Sequence, residues 1–244
     1  MIKNFFLGVV VVSMIFLSSS VFAKGLLSDN GFSASGSLGV YSKYVWRGFK
    51  LDGDPVIQPG FDISGYGVTL SMWSSFDADN KDELNSDELD YIIDYTKDFE
   101  KFSLSVGNTF YTFPESDLRS EEFYIGASFS TLLSPSLTIY YDYGDEADGG
   151  ADGYYIVLSG SHSFVLANDI TFDLGGSVGY NSELFIAGEG EDVLLSAGFT
   201  IPLTENLTFS PMIAYSMPFG DLENEADGNQ DKEFYGGFSL GYSF

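Results

Sequence analysis

The sequence has no cysteine, which excludes a disulfide framework and thiolate metal ligation. It has one histidine, His162, so imidazole chemistry has a single possible seat. Positive charge is scarce: 10 Lys and Arg stand against 36 Asp and Glu, a formal charge of −26. Such a balance excludes general affinity for nucleic acid or anionic lipid surfaces. Long apolar runs are also missing. The one candidate, Phe5 to Leu17, follows Lys3 and precedes Val21-Phe22-Ala23, an order that reads as an export signal cut after Ala23 and not as a spanning helix. Residues 1–23 are therefore expected to be a signal peptide and residues 24–244 the mature chain, one charge unit more negative once Lys3 is lost.

Aromatic and branched residues are plentiful, with 23 Phe and 16 Tyr, which argues against disorder despite the charge. They alternate. In the last segment Phe234, Gly236, Phe238, Leu240, Tyr242 and Phe244 share one face, with Tyr235, Gly237, Ser239, Gly241 and Ser243 on the other. Val193, Leu195, Ala197, Phe199 and Ile201 repeat the pattern. A period of two places successive side chains on opposite faces of a strand. About twelve such segments are expected, near 34–46, 55–65, 67–77, 88–96, 102–113, 121–130, 137–143, 153–164, 170–180, 192–201, 207–217 and 233–244.

The connections alternate between short, such as Gly65-Tyr66-Gly67 and "PLTEN", and long and acidic, such as "DADNKDELNSDE" and "GDLENEADGNQDK". Every second connection of an up-and-down antiparallel sheet lies at the same end. One end is thus tight and the other long and charged. A soluble sandwich also alternates, but its outer face favours Lys, Glu, Thr and Arg. Here the polar faces carry Gly, Ser, Thr and Tyr with scattered Asp, which suits a crowded, wetted barrel interior. Aromatics near strand ends, among them Tyr141, Tyr143, Tyr242 and Phe244, match the girdles of membrane barrels. Only a helix or a closed barrel satisfies its backbone in lipid. The expected fold is an all-β, transmembrane, up-and-down antiparallel barrel of about twelve strands, in the outer membrane, with periplasmic termini and acidic loops outside.

The stretch "YSKYVWRGFKLDGDPVIQPG" holds Lys43, Arg47 and Lys50, a basic cluster in an acidic chain. Phase puts Tyr44 and Trp46 on the lipid side at the outer rim and turns Lys43 and Arg47 inward. Ser42, Tyr44-Val45-Trp46-Arg47-Gly48, Pro55, Gln58 and the following "FDISGYGVTLSMWSS" resemble the N-terminal signature of the TorF-like porins, a bacterial family formerly of unknown function. The signature covers about residues 38–76. It implies an outer-membrane barrel acting as a channel and brings no substrate or catalytic residues. Phe238, Leu240, Tyr242 and the last residue, Phe244, resemble the closing strand by which the barrel-assembly machinery recognises outer-membrane proteins.

Other chemistry finds little footing. His162 lies in Ser161-His162-Ser163, in phase with apolar residues near a short turn, a girdle position and not that of a triad. Asp77 to Glu88 begins like a calcium loop, but Lys81 and Asp82 break the template at a ligand and at the required glycine. Loop acids such as Asp145, Glu146, Asp148 and Asp152 fit solvated loops beside lipopolysaccharide and its bridging cations. No enzyme, metal or cofactor is expected. The inward face would instead carry Asp62, Asp90, Asp94, Glu122, Asp142 and Asp173 opposite Lys43 and Arg47. Charged rings in a narrow pore select by sign. The expected function is a small, weakly cation-selective channel for ions or small solutes; the alternative is a non-conducting structural or surface-binding barrel, its interior filled by Tyr41, Trp73, Tyr111, Tyr124 and Tyr140 and its loops binding a partner.

Overall fold

A computed structural model describes residues 31–78, 87–114, 116, 118–145, 149–224 and 229–244. The signal peptide, most of the broken calcium-loop template, Glu146 and Asp148 lie outside the described residues. Within them the chain forms β1 (Phe32–Tyr41), β2 (Tyr44–Trp46), β3 (Phe49–Asp52), β4 (Val56–Gly65), β5 (Val68–Asp77), β6 (Glu88–Asp98) and β7 (Phe102–Phe113). It continues with β8 (Leu118–Phe129), β9 (Ser136–Asp142), β10 (Tyr154–Val165), β11 (Thr171–Ser182), β12 (Glu189–Pro202), β13 (Leu207–Gly220) and β14 (Glu233–Ser243).

Twelve of these strands, β1 and β4 to β14, make one closed antiparallel barrel. β1 pairs β4 on one side and β14 on the other, with Leu38 opposite Leu240, so the barrel sheet has no open edge. The sequence-predicted segments agree with these strands within a few residues, with one exception at the first. Short turns gather at one end. Between β4 and β5, Tyr66 and Gly67 both take positive φ, 55° and 85°, the geometry that lets a two-residue loop follow the strand twist.

The barrel is apolar outside and polar inside. Leu70 pairs Ile93, Val106 pairs Ile125, Leu158 faces both Leu137 and Val178, and Leu195 faces Tyr215, and all of these side chains are exposed. The belt therefore runs from strand to strand around the wall. A soluble monomer rarely exposes a contiguous apolar patch of more than a few hundred Å², whereas a lipid-facing wall needs one. The buried set is the reverse of a water-soluble core: Asp52, Glu88, Asp90, Glu122, Asp142 and Asp192 are all buried. On β14, Phe238, Leu240 and Tyr242 lie opposite Val40, Leu38 and Gly36 in the closing seam, and Phe244 packs edge-on against Tyr242.

The exception is the stretch after Tyr41. The alternation suggests one strand from 34 to 46, but β1 stops at Tyr41, and residues 44–52 form a separate two-stranded hairpin, β2 with β3. Tyr44 and Trp46 do not stand at a lipid-facing rim. Tyr44 is buried beside Trp73, a residue of the cavity wall, and Trp46 packs against Phe49, Tyr111 and Phe185. Aromatic rings extend the period-two pattern past the strand end, while the interior supplies enough ring surface to bury them.

Candidate functional site

The hairpin is made by its turn. Arg47 and Gly48 both adopt positive φ, 49° and 83°, which reverses the chain in two residues. A side chain at Gly48 would also collide with Leu222, whose Cδ2 would lie 2.6 Å from the added carbon. The tip is covered by loops from the long-loop end: Phe49, Ile186 and Leu222 form a buried apolar cluster, with Trp46 packed against it.

Arg47 fixes the hairpin to the barrel wall. Its Nη1 and Nη2 donate to Glu122 Oε2 and Oε1 at 2.6 and 2.8 Å, a bidentate pair, and Tyr111 adds a hydroxyl donor to Oε1 at 3.0 Å. The Arg47 and Glu122 side chains are only 9% and 1% exposed. The guanidinium also lies 4.4, 4.2 and 4.5 Å from the ring centres of Trp46, Tyr140 and Tyr155. A second tie uses Glu233, which pairs with both Lys43 and Lys50, the latter at 2.8 Å. That hydrogen bond outweighs the opposing effect of burial and raises the Lys50 pKa above its ordinary value.

Beside the hairpin lies a cavity of about 550 Å³, lined by hairpin residues Tyr44 to Gly48 and by wall residues from most of the barrel. Its wall includes Trp73, Asp90, Tyr111, Tyr124, Tyr140, Tyr155, Asp192 and Tyr235. Several of these tyrosines are oriented by carboxylates. Tyr155 donates to Asp192 at 2.7 Å and Tyr124 to Asp94 at 2.8 Å. Trp73, Tyr111, Tyr124 and Tyr140 thus crowd the interior, as expected for a filled barrel, yet a chamber remains between them.

The sequence-predicted inward residues fall into three groups. Arg47 and Asp90 line the chamber, Glu122 stands behind Arg47 as its ion-pair partner, and Lys43 pairs with Glu233. Asp62, Asp94 and Asp173 sit nearer the short-turn end in small hydroxyl networks: Asp62 with Ser35 and Ser71, Asp94 with Thr96 and Tyr124, Asp173 with Thr171 and Thr200. Asp142 is fully buried at the base of the β9–β10 connection, where it accepts the Gly144 and Ala151 backbone N–H groups, each at 3.0 Å. The residues that sequence reasoning missed are Glu88, Tyr155, Asp192 and Glu233. Glu88 was available from its alternation with Asp90, and Asp192 from standing one step out of phase with the apolar face that starts at Val193.

His162 lies outside the chamber, near the short-turn end. Its Nδ1 is 2.7 Å from the Leu132 carbonyl oxygen and its ring meets Phe164 edge-on. Among the described residues, no cluster of three or more His, Cys, Asp or Glu is placed to hold a metal ion.

The barrel resembles solved porin structures. Over 87% of this chain and 99% of the other it matches the KdgM porin at 12% identity and a TM-score of 0.55. KdgM in complex with disordered oligogalacturonate matches at 11% and 0.54 over the same shares. The NanC porin matches at 13% and 0.50, over 86% of this chain and 98% of the other. At these identities the likeness extends to the fold. No curated protein matches in sequence. A family model described as "Bacterial protein of unknown function (Gcw_chp)" matches residues 27–210, most of the sequence, and the chain belongs to that family.

Proposed function

We propose that the protein is an outer-membrane channel for small cationic or neutral solutes, with the β2–β3 hairpin as its constriction. One observation carries this reading: a closed barrel with an apolar exterior encloses an aromatic-lined chamber whose wall bears the carboxyl groups of Asp90 and Asp192 against the one positive charge of Arg47. Arg47 is neutralised locally by Glu122, and Lys43 and Lys50 share Glu233, so Asp62, Asp90, Asp94, Asp173 and Asp192 set the sign of the lumen. An acidic excess in a narrow passage favours cations. The porin neighbours support a channel through their shared fold, and the opening signature supports the TorF-like reading of the family. The KdgM porin in complex with disordered oligogalacturonate marks the contrast: an acidic interior disfavours an anionic solute.

The setting follows from the same reading. The apolar belt meets outer-membrane lipid, the acidic loops meet lipopolysaccharide and its cations, and Phe238, Leu240, Tyr242 and Phe244 form the mark for the barrel-assembly machinery, after export and removal of residues 1–23. His162, at an interfacial position, has no catalytic role here. Protein purified into planar bilayers should give discrete conductance with a cation-favouring reversal potential.

The apolar cluster of Phe49, Ile186 and Leu222 favours a second reading, a barrel sealed at its long-loop end that does not conduct. Replacing residues 43–54 by a short Gly-Ser linker separates the two. Conductance that appears or rises severalfold means a gated passage; silence in both proteins means a structural barrel.

A further inference from the structure

The hairpin gives the interior a built-in example of cation recognition. The Arg47 guanidinium is held by one carboxylate and three aromatic rings at 4.2–4.5 Å. The rest of the chamber repeats these elements. Tyr44, Trp73, Tyr124 and Tyr235 supply ring surface, and Asp90 and Asp192 supply carboxylates.

Asp90 is the informative residue. It is 6% exposed, it stands in the cavity wall, and its Oδ1 has no hydrogen-bond donor among the described residues. Glu88, two residues earlier on the same strand face and 3% exposed, has its Oε2 in the same condition. A buried carboxylate oxygen without a donor is costly, and two acidic side chains side by side are relieved either by sharing a proton or by a cation that enters beside them. The hairpin's own cations do not serve: Arg47 is committed to Glu122, and Lys43 and Lys50 to Glu233. At about 550 Å³ the chamber is within the usual range for small-molecule sites.

We propose that this chamber binds small organic cations, alkylammonium or guanidinium compounds, with the positive head against Asp90 and the apolar part between the rings of Trp73, Tyr124 and Tyr235. The inference deepens the channel reading by naming the solute class, and it rests on that reading for its role in transport. A strongly hydrated ion such as sodium gains little from ring faces, whereas a weakly hydrated organic cation gains from both the rings and the carboxylate.

Both tryptophans of the chain, Trp46 and Trp73, line the chamber, so intrinsic fluorescence reports on it directly. Full-length mature protein in nanodiscs is titrated with tetramethylammonium or ethylguanidinium chloride, against sodium chloride at equal ionic strength and against glucose. The expected result is saturable binding of both organic cations about tenfold tighter than sodium. Asp90→Asn should weaken it about tenfold, Tyr235→Leu should weaken it several-fold, and Asp98→Asn at the short-turn end should leave it unchanged. Folding of each variant is checked by heat-modifiable migration in detergent; should Asp90→Asn not fold, Tyr235→Leu carries the test. The proposal is overturned if neither organic cation binds better than sodium, or if the folded Asp90 or Tyr235 variant binds like the wild type. Protein that conducts in bilayers yet binds neither probe contradicts this inference and leaves the channel reading standing. Protein that binds both but never conducts supports the site and contradicts the channel.

Discussion

Arg47, at the tip of an inserted hairpin, and Glu122, on the β8 wall, are 75 residues apart in sequence and joined by two hydrogen bonds of 2.6 and 2.8 Å. The pair is nearly sealed from solvent, so its behaviour differs from that of a surface ion pair, which contributes little. Removing one partner leaves the other charged and buried. Glu122→Gln should weaken docking of the hairpin by about 3–5 kcal/mol, read as faster amide exchange or proteolysis within residues 42–55 while the barrel ladder stays protected. Adding Arg47→Met to that variant should recover part of the loss, because the stranded charge goes with it. Equal protection in Glu122→Gln and wild type would show that the apolar cluster and the Glu233 tie hold the hairpin without this pair.

Charge inside the lumen sets the second prediction. Asp94→Asn and Asp90→Asn each remove one inward carboxylate without changing shape. Both should move the reversal potential toward zero, and the double variant further than either. An unchanged potential in the double variant would mean that ions do not pass these side chains.

Asp142 tests the difference between lining a passage and holding a loop. It accepts two backbone N–H groups of its own connection, at Gly144 and Ala151. Asp142→Ala strands these donors and should cost about 1–3 kcal/mol locally, seen as protease sensitivity in residues 143–153 with ion selectivity unaltered. A large selectivity change with an intact loop would return Asp142 to the lumen.

The architecture was legible in the sequence because alternation, tight turns and long acidic connections each mark the same strands. Leu195 and Phe199 face outward and Asp192 inward as period two requires. The hairpin was not legible for the same reason. Tyr44 and Trp46 extend the alternation beyond Tyr41, so a segment that turns into the interior carries the pattern of a wall strand. The available signal was Trp46-Arg47-Gly48-Phe49, a glycine-containing two-residue turn between aromatic residues. Arg47 and Glu122 both appeared among the inward candidates, but their pairing spans a closed barrel and has no local signature. Asp142 had the correct phase, and only the folded loop reveals the N–H groups it holds.

The terminal strand carries a prediction about assembly. Phe238, Leu240 and Tyr242 belong to β14, the strand that closes the barrel against β1, and Phe244 follows it directly. Deleting Phe244 should lower the amount of folded protein in the outer membrane several-fold, with accumulation in the periplasm, while in vitro refolding in detergent proceeds. Normal membrane levels would remove Phe244 from the assembly mark.

The most direct test is the reversal potential of the purified barrel in a potassium chloride gradient, measured for the wild type and for the chain lacking residues 43–54. The account predicts a cation-favouring potential in both, with conductance severalfold larger once the hairpin is gone. An anion-favouring potential, or no conductance in either protein, would contradict it.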